Sequence, residues 1–202
     1  VGRLLDALDS LSIRENTIIV LWSDHGYHLG DHLMWNKFTE FESSTNSPLI
    51  ISAPGICGNN KTISPTELVD IFPTLCELTG IEKPNNLDGK SLVPILKDGR
   101  AKVKDFAMTQ YHRTTKEGIK LEGYSIKTER YRYTEWIKGM FKSHDGIYSE
   151  ENVYTNEFYD YRCDPLEKEN FVNKEKYKSV VTDMKEKMKK YFISQNRYLV
   201  KN

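Results

Sequence analysis

Asp24, His25, His28, Asp31, His32 and Lys37 crowd into fourteen residues, and four of the chain's five histidines are His25, His28, His32 and His112. A hard carboxylate oxygen beside an imidazole nitrogen suits a divalent cation such as calcium, magnesium, manganese or zinc. Lys37, a dozen residues past the Asp24-His25 pair, supplies a fixed positive charge if it swings back to the same crevice. Together the three suit an anionic ester. Plainer readings stand beside this one. An Asp-His pair after a strand also caps a helix or fills a turn, and a single lysine is ordinarily surface charge. His28 and His32 have the four-residue spacing of a helical metal pair, but Gly30 between them weakens a helix and favours a loop lining a pocket.

These side chains need a strand to carry them. Thr17-Ile18-Ile19-Val20-Leu21-Trp22-Ser23 is continuous, apolar and β-branched, the pattern of a central parallel strand covered on both faces. Asp24 and His25 follow its carboxyl end, where the ligand crevice of an open α/β sheet lies. A turn at Gly26 lets two adjacent residues aim into one crevice. A second strand is expected at Leu49-Ile50-Ile51-Ser52-Ala53 before Pro54-Gly55. The first residues already read as a helix, with Leu4, Leu5, Leu8 and Leu11 at three- and four-residue spacing. That helix opens without a start signal, which suggests a chain cut inside an element.

Another helix is expected to start at Ser64, with Pro65 at its first position and Glu67 closing a capping box. It is expected to bury Leu68, Ile71, Phe72, Leu75 and Leu78, to bend at Pro73 and to stop at Gly80. A short helix near Ser91–Leu96 and a strand at Phe106–Tyr111 complete an α/β unit, residues 1–117. Beyond it the pattern changes. Tyr124–Thr128 and Tyr131–Trp136 alternate around Glu129-Arg130 as an antiparallel hairpin. Glu157–Tyr161 adds a strand, and a final amphipathic helix carries Tyr177, Val180, Val181, Met184 and Met188. Residues 118–202 are therefore expected to form a smaller α+β unit.

Composition narrows the function classes. The 202 residues are 38% apolar and 29% charged, with 29 basic and 29 acidic side chains, enough for a core and unlike a disordered chain. Zero net charge gives no support to a nucleic-acid surface, and no apolar run approaches the roughly 20 residues of a membrane span. Cys57, Cys76 and Cys163 are far apart and suggest neither a zinc ribbon nor a disulfide scaffold.

The segment Ser23-Asp24-His25-Gly26-Tyr27-His28-Leu29-Gly30-Asp31-His32, with Trp35-Asn36-Lys37, resembles the second metal-binding signature of formylglycine-dependent sulfatases, most closely the iduronate-2-sulfatase branch. The likeness continues in order through Pro48–Gly55, Val69-Asp70-Ile71-Phe72-Pro73-Thr74-Leu75 and Leu87-Asp88-Gly89-Lys90-Ser91-Leu92. Gly123–Thr134 is similar to the start of that branch's small carboxyl-terminal subdomain. Glu157-Phe158-Tyr159-Asp160, Asp164-Pro165, Glu167 and Asn170 resemble the closing signature of sulfatases.

The resemblance implies the carboxyl-terminal portion of an alkaline-phosphatase-like, mostly parallel sheet sandwiched by helices, plus a small antiparallel subdomain. By the same resemblance Asp24 and His25 are calcium ligands and Lys37 binds and stabilises the sulfate. Tyr27, His28 and His32 line the substrate pocket, and His112 and Arg113 lie either near it or at the surface. The implied substrate is a sulfated uronic acid of a glycosaminoglycan or related polysaccharide, with a secreted, periplasmic or lysosomal location. One departure matters: no cysteine here stands in Cys-x-Pro-Ser-Arg, so the formylglycine nucleophile is expected upstream, in a missing amino-terminal part. Two other readings stay open. One is a different sulfatase or a phosphonate monoester hydrolase; the other is a non-catalytic fragment or half-subunit.

Overall fold

The computed structural model describes residues 1–141 and 146–195. Its elements, in chain order, are α1 (Gly2–Ser10), β1 (Ile19–Trp22), β2 (His28–Leu29), β3 (Trp35–Asn36), α2 (Glu42–Thr45) and β4 (Leu49–Ser52). Then come α3 (Ile71–Thr79), α4 (Val93–Lys97), β5 (Ala107–Thr114), β6 (Lys120–Lys127), β7 (Tyr131–Lys138), β8 (Val153–Asp160) and α5 (Lys178–Ser194). The chain divides into two compact units: Val1–Asp24 with Ser47–Asp105, and His25–Asn46 with Phe106–Asn202.

In the first unit β1 pairs with β4 from Ile19↔Ser52 to Trp22↔Leu49, antiparallel rather than in the parallel ladder expected of its apolar run. An all-apolar run states burial, not direction, so it cannot choose between the two ladders. The capping box also sits later than expected. Glu67 accepts from the Asp70 backbone while Asp70 Oδ2 accepts from the Glu67 N–H at 2.8 Å, so the helical turn starts at Glu67 rather than Ser64. Pro73 is then the third residue of α3, inside the first turn, where a missing N–H is tolerated. Gly80 ends the helix at φ +70° as expected.

Asp70 explains two motifs at once. Its Oδ1 accepts from the Lys90 N–H at 2.8 Å and from the Lys104 ammonium at 2.7 Å. Thr74 Oγ1 donates to the Asp70 carbonyl at 2.6 Å and accepts from the Leu92 N–H at 2.8 Å. A Cβ on Gly89 would run into the Val69 carbonyl, so glycine is what lets Leu87–Leu92 lie against the start of α3.

In the second unit β5-β6-β7-β8 form one antiparallel sheet. β6 and β7 are buried at every residue from Leu121 to Ile126 and from Arg132 to Ile137, and Tyr124, Ile126, Tyr133, Ile137 and Phe158 meet Met184, Met188 and Phe192 of α5. β5 pairs with β6 over all eight residues, Ala107↔Lys127 to Thr114↔Lys120. That strand was expected in the parallel layer. Its mixture of apolar and polar residues, AMTQYHRT, differs from the near-continuous apolar run of a buried parallel strand.

Candidate active site

The segment His25–Asn46 returns the chain on itself. Two residue pairs, His28↔Asn36 and Leu29↔Trp35, join β2 to β3. Between them Gly30, His32 and Leu33 take left-handed backbone, with φ of +111°, +53° and +58°. This tight reversal sends the chain back so that Lys37 meets His25: Nζ lies 2.5 Å from Nε2. The other ring nitrogen, Nδ1, is 2.7 Å from the Gly26 carbonyl. A carbonyl only accepts, so Nδ1 carries the proton and Nε2 presents its lone pair to the lysine.

Gly26 fixes the place of that ring. Its N–H donates to the Ser44 carbonyl at 2.8 Å, and a Cβ there would overlap the Ser43 carbonyl. The turn therefore packs backbone to backbone against α2, a contact only glycine allows.

His28 has no exposed surface. Its Nδ1 lies 2.5 Å from Asp31 Oδ2 and its Nε2 2.7 Å from Thr39 Oγ1. Thr39 Oγ1 is in turn 2.9 Å from Ser44 Oγ. Expected at the pocket wall, His28 is instead the buried pin of the reversal, with both nitrogens committed. The Ser43 side chain, with the Leu29 N–H and His28 after it, holds the Asp31 carboxyl down at about 2. His32 stacks on Phe41 at 4.0 Å between ring centroids, and the Tyr27 ring is 54% exposed. Asp24 is exposed at the end of the segment that follows β1.

His112 lies between the Tyr111 and Phe141 rings at 5.0 and 5.2 Å, and the Arg113 guanidinium sits 5.0 Å over Trp136. Both side chains therefore pack against the aromatic surface of the sheet.

Three charged residues at this site carried no sequence signal of their own. Glu40 is buried, takes a bond from the Thr109 hydroxyl on Oε2 and leaves Oε1 unpartnered. Burial pushes its carboxyl up to about 7 against the Thr109 bond and the Arg132 charge. Arg132 is buried too, and binds Glu167 Oε1 at 2.8 Å and Glu42 Oε2 at 2.7 Å. Arg132 falls inside Gly123–Thr134 and Glu167 inside the closing signature, whereas Glu40 falls inside neither.

Among the described residues no group of three or more His, Cys, Asp and Glu side chains forms a complete metal site. Asp24 and His25 are residue types that hold divalent cations, the His25 Nε2 here being met by Lys37, and two donors are fewer than the six to eight that calcium takes. They fit as part of a ligand set.

The chain matches the family described as N-sulphoglucosamine sulphohydrolase, C-terminal, over residues 30–194. It is 34% identical to a sulfatase of Formosa agariphila, across 92% of this chain and 32% of that protein. It is 29% identical to the human iduronate 2-sulfatase, across 86% of this chain and 41% of that protein. A solved structure of a 2-O GAG sulfatase superposes with a TM-score of 0.76 at 28% identity, across 95% of this chain and 39% of the other. The chain thus spans about a third to two-fifths of its curated relatives. On the motifs, the alkaline-phosphatase-like neighbours and the family match together, this chain belongs to the sulfatase family and corresponds to its carboxyl-terminal portion.

Proposed function

We propose that the protein is a sulfuric ester hydrolase acting on a 2-sulfated uronic acid of a glycosaminoglycan or related polysaccharide. In this reading the present chain supplies Lys37, His25 and Asp24. The observation that carries it is the contact between Lys37 Nζ and His25 Nε2, which places a cation donor and a metal-type nitrogen at one point. Lys37 binds the sulfuryl oxygens and meets the charge that grows on them as the ester bond breaks. Gly26 holds the His25 proton on Nδ1, which keeps Nε2 free of a proton. In this reading the exposed Tyr27 would meet sugar, and His32 would shape the same reversal through its stack on Phe41.

A divalent cation, calcium in the family resembled, and a formylglycine carried by a preceding segment supply Lewis acidity and the nucleophile. Asp24 and His25 would hold the cation. Secretion to the periplasm, exterior or lysosome accords with this substrate, and no helix of the described residues is long and apolar enough to cross a membrane.

The test is a substrate panel offered to the full-length enzyme: a 2-sulfated unsaturated uronate disaccharide, an N-sulfated glucosamine, an aryl sulfate and a phosphonate monoester. Sulfate release fastest from the first supports the reading. Preference for the phosphonate, or no turnover of any sulfate ester by metal-loaded enzyme bearing formylglycine, overturns it. The 202-residue chain alone, with no cysteine in the nucleophile motif, is expected to release none.

A further inference from the structure

Glu167 is a glutamate in left-handed backbone, φ +52°, a conformation that side-chain-bearing residues occupy only when their surroundings enforce it. Its carboxylate is the enforced feature. Oε1 takes bonds from Arg132 Nε at 2.8 Å and from the Tyr161 hydroxyl at 2.6 Å, while Oε2 takes the backbone N–H of Glu42 at 2.7 Å. Arg132 then reaches the other side of the same residue, with Nη2 donating to Glu42 Oε2 at 2.7 Å and to Thr45 Oγ1 at 2.9 Å. Lys127 binds Glu42 Oε1. Two cations and two carboxylates balance, which lets Arg132 and Glu167 sit buried at about 1% side-chain exposure each. A buried arginine bridging two carboxylates in this way holds a segment in one register more than it adds stability.

What the cluster grips is α2, through its backbone and its first side chain. α2 carries the Ser44 carbonyl that receives the Gly26 N–H, and the Gly26 carbonyl receives His25 Nδ1. The Ser44 hydroxyl also joins Thr39 and, through it, His28 at the base of the hairpin that delivers Lys37. Hydrogen bonds, joined through the backbone of α2 and of Gly26, thus link Glu167 and Arg132 to the His25 ring. We propose that Arg132 and Glu167 are positioning residues for the Lys37–His25 pair, acting through Glu42, α2 and Gly26. The inference rests on the hydrolase reading for its kinetic consequence, while its structural half stands on the contacts alone.

The test uses full-length enzyme bearing Glu167→Gln and, separately, Tyr161→Phe, which removes only the hydroxyl bridging Arg132, Glu167 and Glu42. Two quantities are read: hydrogen exchange at the Gly26 amide against the core amides of β6 and β7, and kcat and KM on the best sulfate ester. Expected for Glu167→Gln is faster exchange at Gly26 with β6 and β7 unchanged, and kcat lower by about tenfold with KM within about twofold, as for a displaced catalytic group. Tyr161→Phe should move both quantities the same way and less. Unchanged Gly26 exchange and kcat in a cooperatively melting Glu167→Gln enzyme would overturn the proposal. If Glu167→Gln does not fold, Tyr161→Phe decides by the same two readings. An enzyme that turns over no sulfate ester would sink the hydrolase reading, and Gly26 exchange would still judge the positioning.

Discussion

Lys37 Nζ and His25 Nε2 stand 2.5 Å apart although twelve residues separate them. Neither is held by the other alone: a two-pair hairpin returns the lysine, and a backbone carbonyl sets the ring's tautomer. An ammonium resting on an imidazole lone pair is a cation already at the spot where, in the proposed reaction, negative charge must be met. The pair therefore separates two roles. In the proposed reading, losing the lysine would remove charge stabilisation, while losing the ring would remove a metal donor.

Lys37→Ala in the full-length enzyme is expected to lower kcat about 10²-fold or more, the effect of deleting one donor aimed at developing charge. Lys37→Arg keeps the charge on a longer planar group and should recover part of the rate. Steady-state sulfate release checks both. Turnover of Lys37→Ala equal to the parent would remove its assigned role.

His28→Ala tests a different contribution. The ring is fully buried between Asp31 and Thr39, so its removal takes a partner from each and opens a cavity. The expected cost is about 3 kcal/mol in a urea unfolding midpoint. KM for a sulfated sugar should stay within about twofold in whatever fraction remains folded. A stable variant with a much raised KM would return His28 to the pocket wall.

The uneven legibility of this chain has physical causes. Tyr124–Trp136 was readable because apolar and polar residue types alternate along it, although the structure buries both faces of β6 and β7. β1 was readable as a strand but not as an antiparallel one, since direction is chosen by the partner Leu49–Ser52 and by nothing within the run itself. Arg132 reads in an alternating strand as an outward charge. It is buried because Glu42 and Glu167, 90 and 35 residues away along the chain, neutralise it. Glu40 gives no pattern at all, for its burial depends on Thr109, 69 residues distant. Residue type and spacing singled out the Asp24-His25 pair and Lys37, resemblance alone gave them roles, and the hairpin geometry supplies a physical reason for the spacing.

Gly26→Ala should be costly and Gly58→Ala should not. A Cβ at Gly26 meets the Ser43 carbonyl, a backbone group that cannot step aside, whereas at Gly58 nothing lies within 4 Å. About 2 kcal/mol of destabilisation is expected at Gly26 and none, or a slight gain, at Gly58. Thermal or urea midpoints of the two variants check this. Equal midpoints would mean that the turn and α2 are not packed as described.

Glu40 gives the chain a pH dependence of unusual sign. Its carboxyl is raised from 4.5 to about 7, chiefly by burial, so between those values the folded protein keeps a proton that the unfolded chain has released. Stability is then greatest below about pH 4.5, falls as pH rises toward 7 and is level beyond it, by about 3 kcal/mol in all. Asp31 and Asp160 work the other way and elsewhere: both are held down to about 2, so their contribution is lost only as pH falls below about 3.8. The two windows do not overlap. Glu40→Gln keeps the shape and a neutral donor while removing the titration, so unfolding midpoints of parent and variant should coincide near pH 4.5 and diverge toward pH 8. The variant should be the more stable there. Parallel profiles across that range would show that Glu40 is already ionised in the folded protein, and that Thr109 and Arg132 outweigh its burial.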